Sequence, residues 1–417
     1  MRSVQFVAEM QTKFAAAVRS VEKAVAGTFY VTVERDAMVP VARWLQDDLG
    51  ARFIISAGAD RRPTEGCFTV THIFSRDKEK QFICLRADVP EKGGEIASIT
   101  PAVPAANWAE REFQDLVGVR ANGHPDPRRL VVADDWPEGV YPLRKDFPYD
   151  AKPDPVATPA PRFKEAPEGT STVIVGPFYP VLEEPAQLRL FVDGERIVDC
   201  DYRGFYNHRG IEKLGDSVLT YNEIPFVAER ICGICGFIHS SCYCETAEQA
   251  AGIEAPRRAR YIRSIMLEIE RVHSHLLWLG IAGHILGFDT VLMQAWRIRE
   301  PIMWLCEQIT GNRKTYGMNL VGGVRRDIPG DLHPKILDVL AKIEAESLAV
   351  VDAVRGDTTL LVRLQGTGLL PEAEARRLCV VGPTARGSGV DVDARVDHPY
   401  AAYDELVPKV ITHSGCD

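Results

Sequence analysis

Six prolines crowd into residues 148–167 (Pro148, Pro153, Pro155, Pro159, Pro161 and Pro167), and they divide the chain into two parts with different patterns. Proline removes a backbone donor and favours extended chain, so neither a helix nor a sheet runs through this stretch. Ahead of it, Val4, Phe6, Val7, Met10, Phe14, Val18 and Val21 follow helical spacing, which predicts one helix over residues 1–27. Val39–Asp48 and Asn107–Val117 also read as helices. Phe53–Ser56, Cys67–Phe74 and Gln81–Ala87 are rich in aromatic and β-branched residues, as strands are. Residues 28–150 are therefore expected to form an α+β domain, and 151–172 a linker. Behind the linker, Leu188–Val192 and Arg196–Asp199 flank Asp193-Gly194, a hairpin turn dipeptide. Helices then dominate: a long run after Pro256 to about Gly287, then Thr290–Ile309 and Lys335–Arg355. Residues 173–417 are expected to form a mainly helical domain that opens with a small β-sheet.

The composition narrows the function. Of 417 residues, 46% are hydrophobic and 26% charged, as in ordinary globular domains, and the formal charge is 49 − 58 = −9. Short basic clusters (Arg61-Arg62, Arg257-Arg258, Arg325-Arg326) do not extend into a stripe, so no nucleic-acid partner is expected. No stretch reaches the roughly 18–20 apolar residues of a membrane span. The longest candidate, Leu276–Phe288, contains His284. No secretory signal opens the chain. These features predict a cytoplasmic protein that meets a membrane only through partners.

Ten cysteines are present, and four crowd into Cys232, Cys235, Cys242 and Cys244. In a cytosolic chain such a cluster points to metal or redox chemistry. Cys232-Gly-Ile-Cys235 can converge on one metal, because a turn brings both sulfurs to one side. At a helix N-terminus, unpaired amides and the dipole favour thiolate, and Arg230 adds positive charge. His239 is placed to donate a hydrogen bond to a ligand sulfur. By spacing alone four readings stay open: a buried structural pair, a local zinc or iron–sulfur site using all four cysteines, a redox pair, and a two-cysteine share of a metal centre completed from elsewhere.

The wider context carries a resemblance. RICGICGFIHS resembles the first metal-binding motif of [NiFe]-hydrogenase large subunits, and its surroundings resemble the energy-converting, formate hydrogenlyase-type subgroup. GPFYPVLEEPAQLRLFVDGE, YNHRGIEKL, YNEIPFVAERICGICG, MLEIERVHSHLLWLG, TGNRKTYGMNLVGGVRRDI and ARGSGVDVDARVDHPY agree in order from Gly176 to Tyr400. AANWAEREFQDLVGV, NGHPDPRRLVVADDW and YPLRKDFPYD look like the 30-kDa subunit of respiratory complex I, a domain that this subgroup carries fused in front of its hydrogenase domain. The quinone-binding 49-kDa subunit of complex I shares the second domain's ancestry. It lacks the cysteine pair and carries a histidine where this chain reads Leu182-Glu183-Glu184-Pro185.

The resemblance implies a centre of nickel and of iron carrying CO and cyanide, held by four cysteines, of which Cys232 matches the one terminal on nickel and Cys235 one that bridges the metals. The implied reaction is H₂ ⇌ 2H⁺ + 2e⁻. Glu184 looks like a glutamate that relays protons; a surface acid is the bland alternative. Glu212, in HRGIE, matches a motif of the subgroup with a structural or proton-transfer role. Arg386, Asp393 and Arg395 look like a buried charge network beneath the site, where an ordinary surface salt bridge is the alternative. His273 and His275, two apart on a helix, do not face one site and are read as packing or hydrogen-bonded core residues. Asp115, His124 and Asp126 read as structural. Implied partners are a small subunit with [4Fe–4S] clusters, a further iron–sulfur electron-transfer subunit and antiporter-like membrane subunits, with this chain on the inner face of the membrane. The family's second pair, in a DPCxxC motif, has no counterpart here, nor has its APRG arginine. Cys416 stands alone, so the chain is expected to be a fragment supplying half of the sulfur ligands and inactive by itself. A complex I-type C/D-like subunit and a non-catalytic assembly subunit are the alternatives.

Overall fold

Strand β2 (Thr28–Val33) turns Phe29, Val31 and Val33 to one buried face, with Thr32 buried on the other, and this apolar face seeds a five-stranded sheet. The computed structural model describes residues 2–25, 27–157, 163–178 and 184–413. Cys416, Leu182 and Glu183 lie outside the described residues. The sheet has the order β1-β2-β5-β4-β3, with β1 at Val18–Lys23, β3 at Arg52–Asp60, β4 at Cys67–Arg76 and β5 at Gln81–Pro90. The β2–β5 pair is parallel and the other neighbours antiparallel. Helices Met38–Asp47 and Asn107–Leu116 join its core through Val41, Leu45, Phe113 and Leu116.

The N-terminal helix ends earlier than its spacing predicts. It spans Arg2–Lys13, and Val18–Lys23 is instead the edge strand β1, paired with β2. Val18 and Val21 fit a helical stripe. The sheet edge offers this segment a ladder of backbone hydrogen bonds, and tertiary pairing overrides local spacing.

By compactness the described chain forms two units, residues 1–213 with 371–392, and residues 214–370 with 393–417. The first unit thus extends past the proline-rich stretch. It includes an antiparallel three-stranded sheet of Ser171–Val175, Gln187–Asp193 and Arg196–Arg203, expected to open the second domain. Specific contacts hold that sheet: Arg128 Nη1 donates to Asp201 at 3.1 Å, the Lys164 amide donates to Asp201 at 2.8 Å, and Trp108 stacks on Tyr202. Asp115, His124 and Asp126 are engaged in local hydrogen bonds. Asp115 accepts from the Leu130 and Val131 amides, His124 bonds the Asn107 carbonyl, and Asp126 pairs with Arg128.

The second unit is helical. Arg257–Ile285 and Asp289–Thr310 form a hairpin, joined by His333–Gly356. Gly283 permits its close approach, because a Cβ there would lie 2.7 Å from Val291 Cβ. Ile262, Met266, Ile269, Ile298, Ile302 and Leu305 fill the core between the first two helices. Buried Arg263 meets Glu248 with two hydrogen bonds, at 3.0 and 2.6 Å, and donates to the Leu320 and Gly323 carbonyls. Among the described residues, no helix is long and apolar enough to cross a membrane.

Candidate metal centre

The cysteine turn lies in the second unit. Cys235 is the N-cap of the helix Gly236–Ala251, so the cysteine turn leads into a helix N-terminus. Cys235 does not cap the helix with its own side chain. Glu270, from the long helix Arg257–Ile285, does so instead: its carboxylate accepts from the amides of Phe237 at 2.8 Å and Ile238 at 3.1 Å, and from Thr315 Oγ1 at 2.5 Å. The capping duty falls on a carboxylate one layer deeper, and the sulfurs stay available for other chemistry.

Cys232 Sγ accepts from the Ile234 and Cys235 amides at 3.3 and 3.2 Å. At Cys235, the hydrogen bond with the Cys232 side chain, then burial, then the nearby Cys232 and Glu270 charges push the thiol up. The helix-end preference for thiolate is overridden at Cys235 by its neighbour. A cation between the sulfurs reverses that balance, because thiolate ligands bind a metal deprotonated. His239 Nε2 lies 3.7 Å from Cys235 Sγ.

The turn is closely packed. Gly236 admits no side chain: a Cβ would fall 2.3 Å from the Tyr316 ring and 2.5 Å from the Glu229 carbonyl oxygen. Tyr316 donates its hydroxyl to the Cys232 carbonyl at 3.0 Å. Arg230 lies over the Tyr316 ring at 4.6 Å and donates to Glu229 at 3.0 Å, so its charge is paired with a carboxylate. Glu229 is only 1% exposed, accepts from the Gly317 amide at 2.9 Å and from Ser240 Oγ at 3.3 Å, and burial pushes its carboxyl up to about 7. Glu229, Glu270, Thr315 and Tyr316 escaped the sequence reading as site residues. Glu229 immediately precedes the recognised motif, but nothing in its spacing marks it as buried.

The other candidates fall as follows. Cys242 is exposed and Cys244 buried, two residues apart on one helix. Among the described residues, no cluster of three or more potential ligands includes any of these four cysteines, so a local four-cysteine site is not formed. His273 is buried, its Nε2 facing Arg299 at 2.5 Å and Lys314 at 3.3 Å, and burial followed by those two cations lowers it to about 3. His275 is exposed, which corrects the expectation of a core residue: at 100° per residue two positions turn it off the buried face. Asp393 is buried and accepts from Arg395 Nη2 at 2.8 Å, and Arg395 reaches Glu268 at 3.2 Å. Arg386 belongs to the first unit and donates to the Val392 carbonyl at 3.3 Å. So do Glu184, exposed and accepting from Asn207 Nδ2 at 2.8 Å, and Glu212, exposed, 3.7 Å from His208 and lowered by it.

Family models match most of the chain. Residues 31–153 match the respiratory-chain NADH dehydrogenase 30 Kd subunit, residues 209–289 the nickel-dependent hydrogenases, and residues 286–417 the respiratory-chain NADH dehydrogenase 49 Kd subunit. Formate hydrogenlyase subunit 5 of Escherichia coli (strain K12) is 42% identical over 93% of this chain and 69% of its own length. Hydrogenase-4 component G of the same organism is 40% identical over 100% of this chain and 73% of its own length. The chain belongs to the formate hydrogenlyase-type family of [NiFe]-hydrogenase large subunits. It is a hydrogenase-family oxidoreductase subunit in which a 30-kDa-like domain is fused to a hydrogenase and 49-kDa-like domain. Among solved structures, the membrane-bound sulfane sulfur reductase, an archaeal respiratory membrane complex, contains a chain 30% identical to this one, with a TM-score of 0.57 over 60% of this chain and 68% of that one. The nickel-dependent hydrogenase match contains Cys232, Cys235, His239 and Glu270, and this family implies a nickel–iron centre. Two adjacent sulfurs, with the helix end satisfied by Glu270, fit a soft metal as part of its ligand set.

Proposed function

We propose that this chain is the catalytic-type large subunit of a membrane-associated, energy-converting [NiFe]-hydrogenase. The observation that carries the reading is the sulfur pair: Cys232 and Cys235 hydrogen-bond side by side at a helix N-terminus whose amides are capped by Glu270. Cys232 and Cys235 would hold the nickel–iron centre, which supplies the cleavage and formation of H₂ when bound. The protein's own part is to position the sulfurs and to move protons. Gly236 and Tyr316 set the turn, and His239 directs a ring nitrogen at the Cys235 sulfur. Glu184 and Glu212 are proposed proton carriers, and Arg386 and Asp393 charged supports of the centre. Residues 28–150 are proposed to form an interface module and 173–417 the hydrogenase domain. Electrons would pass to a small subunit bearing [4Fe–4S] clusters and on to a further iron–sulfur subunit, with antiporter-like subunits anchoring the assembly to the inner face of the membrane.

The test is the nickel and iron content of the complex purified from its native host, for the natural chain and for Cys232→Ser and Cys235→Ser. The reading expects about one nickel per natural chain and loss of it in both variants, since exchanging a thiolate for a hydroxyl removes a soft ligand. A natural chain without nickel overturns it in favour of a complex I-like or assembly role.

A further inference from the structure

The helix that begins at the cysteine turn carries an unusual buried stripe. Ser240, Ser241, Cys244 and Glu248 are all buried, and Glu245 lies on the same side. Polar groups on a core-facing helix surface need partners, and here Ser240, Ser241, Glu245 and Glu248 find them on neighbouring segments. Ser240 Oγ has two acceptors for its one proton, the Phe237 carbonyl at 3.0 Å and Glu229 at 3.3 Å, and Asn319 Nδ2 donates to Ser240 Oγ and Ser241 Oγ, both at 2.9 Å. Ser241 and Glu245 are four apart, neighbours on one helix face. Beyond Glu245 opens a cavity of about 530 Å³, lined among others by Glu245, Glu254, Arg260 and Tyr400.

From this arrangement we propose that the helix Gly236–Ala251 carries protons between the cysteine turn and that cavity, with Glu229 the inner carrier and Glu245 the outer one. The proposal rests on the reading that Cys232 and Cys235 mark the reacting centre. It adds two carboxylates and a route that the family motifs did not supply.

Three further observations support it. Burial favours the protonated form of both carriers: it pushes Glu229 up to about 7 and is the leading cause of the upward shift at Glu245. Two buried atoms beside the stripe, Asn319 Oδ1 and Arg263 Nε, have no hydrogen-bond partner in the protein. Atoms of that kind recruit ordered water, which can link Ser240, Ser241 and Glu245 across the helical turn. Finally, the cation that could block the passage is tied down. Arg263 is locked by Glu248 and two carbonyls, and Glu245 stays 4.0 Å from it while accepting from the Ala401 amide at 3.0 Å. The transfer balances without electrons. The Glu229 carboxyl gives its proton to Ser240 as Ser240 gives its own onward, Ser241 and the linking waters repeat the exchange, and the Glu245 carboxylate takes up one proton and releases one to the cavity. Every intermediate group ends as it began. From Cys235 to Glu245 the helix advances about 15 Å.

The experiment is infrared spectroscopy of the complex during rapid transfer into D₂O. Glu229→Gln identifies the protonated-carboxyl band of Glu229, and the half-time of that band's shift reads proton access to it. In Glu245→Gln the amide still accepts from the Ala401 amide but carries no proton. There the half-time should lengthen about 10²-fold, the low end of what a positioned proton carrier contributes. Ser241→Ala should act in the same direction, Glu245→Asp should restore most of the rate, and Thr246→Ala on the outer face should change nothing. Equal half-times in the natural chain and Glu245→Gln would overturn the route. So would a Glu229→Gln spectrum that loses no exchangeable band. The exchange needs no metal, so it decides the route even where nickel analysis overturns the functional reading.

Discussion

Replacing Glu270 by alanine should loosen the cysteine turn before anything else in the molecule. The carboxylate is 4% exposed and serves three donors. The Phe237 amide belongs to a fully buried residue and would lose its acceptor outright, about 1–3 kcal/mol. The Ile238 amide, on a half-buried residue, can turn partly to water, about 0.5–1 kcal/mol. Thr315 can rotate its hydroxyl away. Against these losses stands relief of the burial that raises the Glu270 carboxyl. The net expectation is a loss of about 1–3 kcal/mol for Glu270→Ala and roughly half that for Glu270→Gln, which keeps one oxygen for the amides. Guanidinium unfolding of the full chain reads the total, and amide hydrogen exchange at Phe237 and Ile238 locates it. The order should be natural chain, then Gln, then Ala. If either variant were as stable as the natural chain or more so, relief of burial would outweigh the cap, and the account of the cysteine turn would fail.

Two predictions concern stability elsewhere. His72 is buried in strand β4 and lowered by burial to about 3, far below the ordinary 6.5 of a histidine. The native state then binds fewer protons than the unfolded state between those values, so stability rises with pH across that window and is flat above it. At pH 5 the first unit should have lost about 2 kcal/mol relative to pH 8 through this residue. His72→Gln should abolish that slope in unfolding followed by exchange of β4 amides; an unchanged slope would refute it. In the second unit, Arg263→Met strands the buried Glu248 carboxylate and should cost about 3–5 kcal/mol. Adding Glu248→Leu should recover about 2 kcal/mol of the summed single losses, and strict additivity in urea titrations would show the pair to be uncoupled.

Much of the fold was legible in the residues. The spacing of Val39–Asp48 and Asn107–Val117 matches the helices Met38–Asp47 and Asn107–Leu116, and Asp193-Gly194 marks the turn of a real hairpin. Proline at position 256 marks the start of the long helix to within one residue. These signals are local: a periodic apolar stripe, a turn dipeptide or a missing donor constrains its own neighbours. The failures were not local. Residues 18–23 carry a helical stripe and form a strand because a sheet edge is available. His275 sits beside His273 in sequence and on the other side of the helix in space.

Chain order is enough to show two differently patterned parts, a pair of cysteines three apart, Cys232 and Cys235, and the family motif that contains them. A two-residue gap and a run of matching segments are properties of the chain order alone. Only the tertiary structure decided what surrounds the sulfurs. Glu270 comes from a helix more than thirty residues on, Tyr316 from a loop more than eighty residues on, and buried Glu229 accepts from Gly317 and Ser240, the first nearly ninety residues away. Burial sets whether a carboxylate caps, carries a proton or merely solvates a surface, and burial is a property of the packed chain.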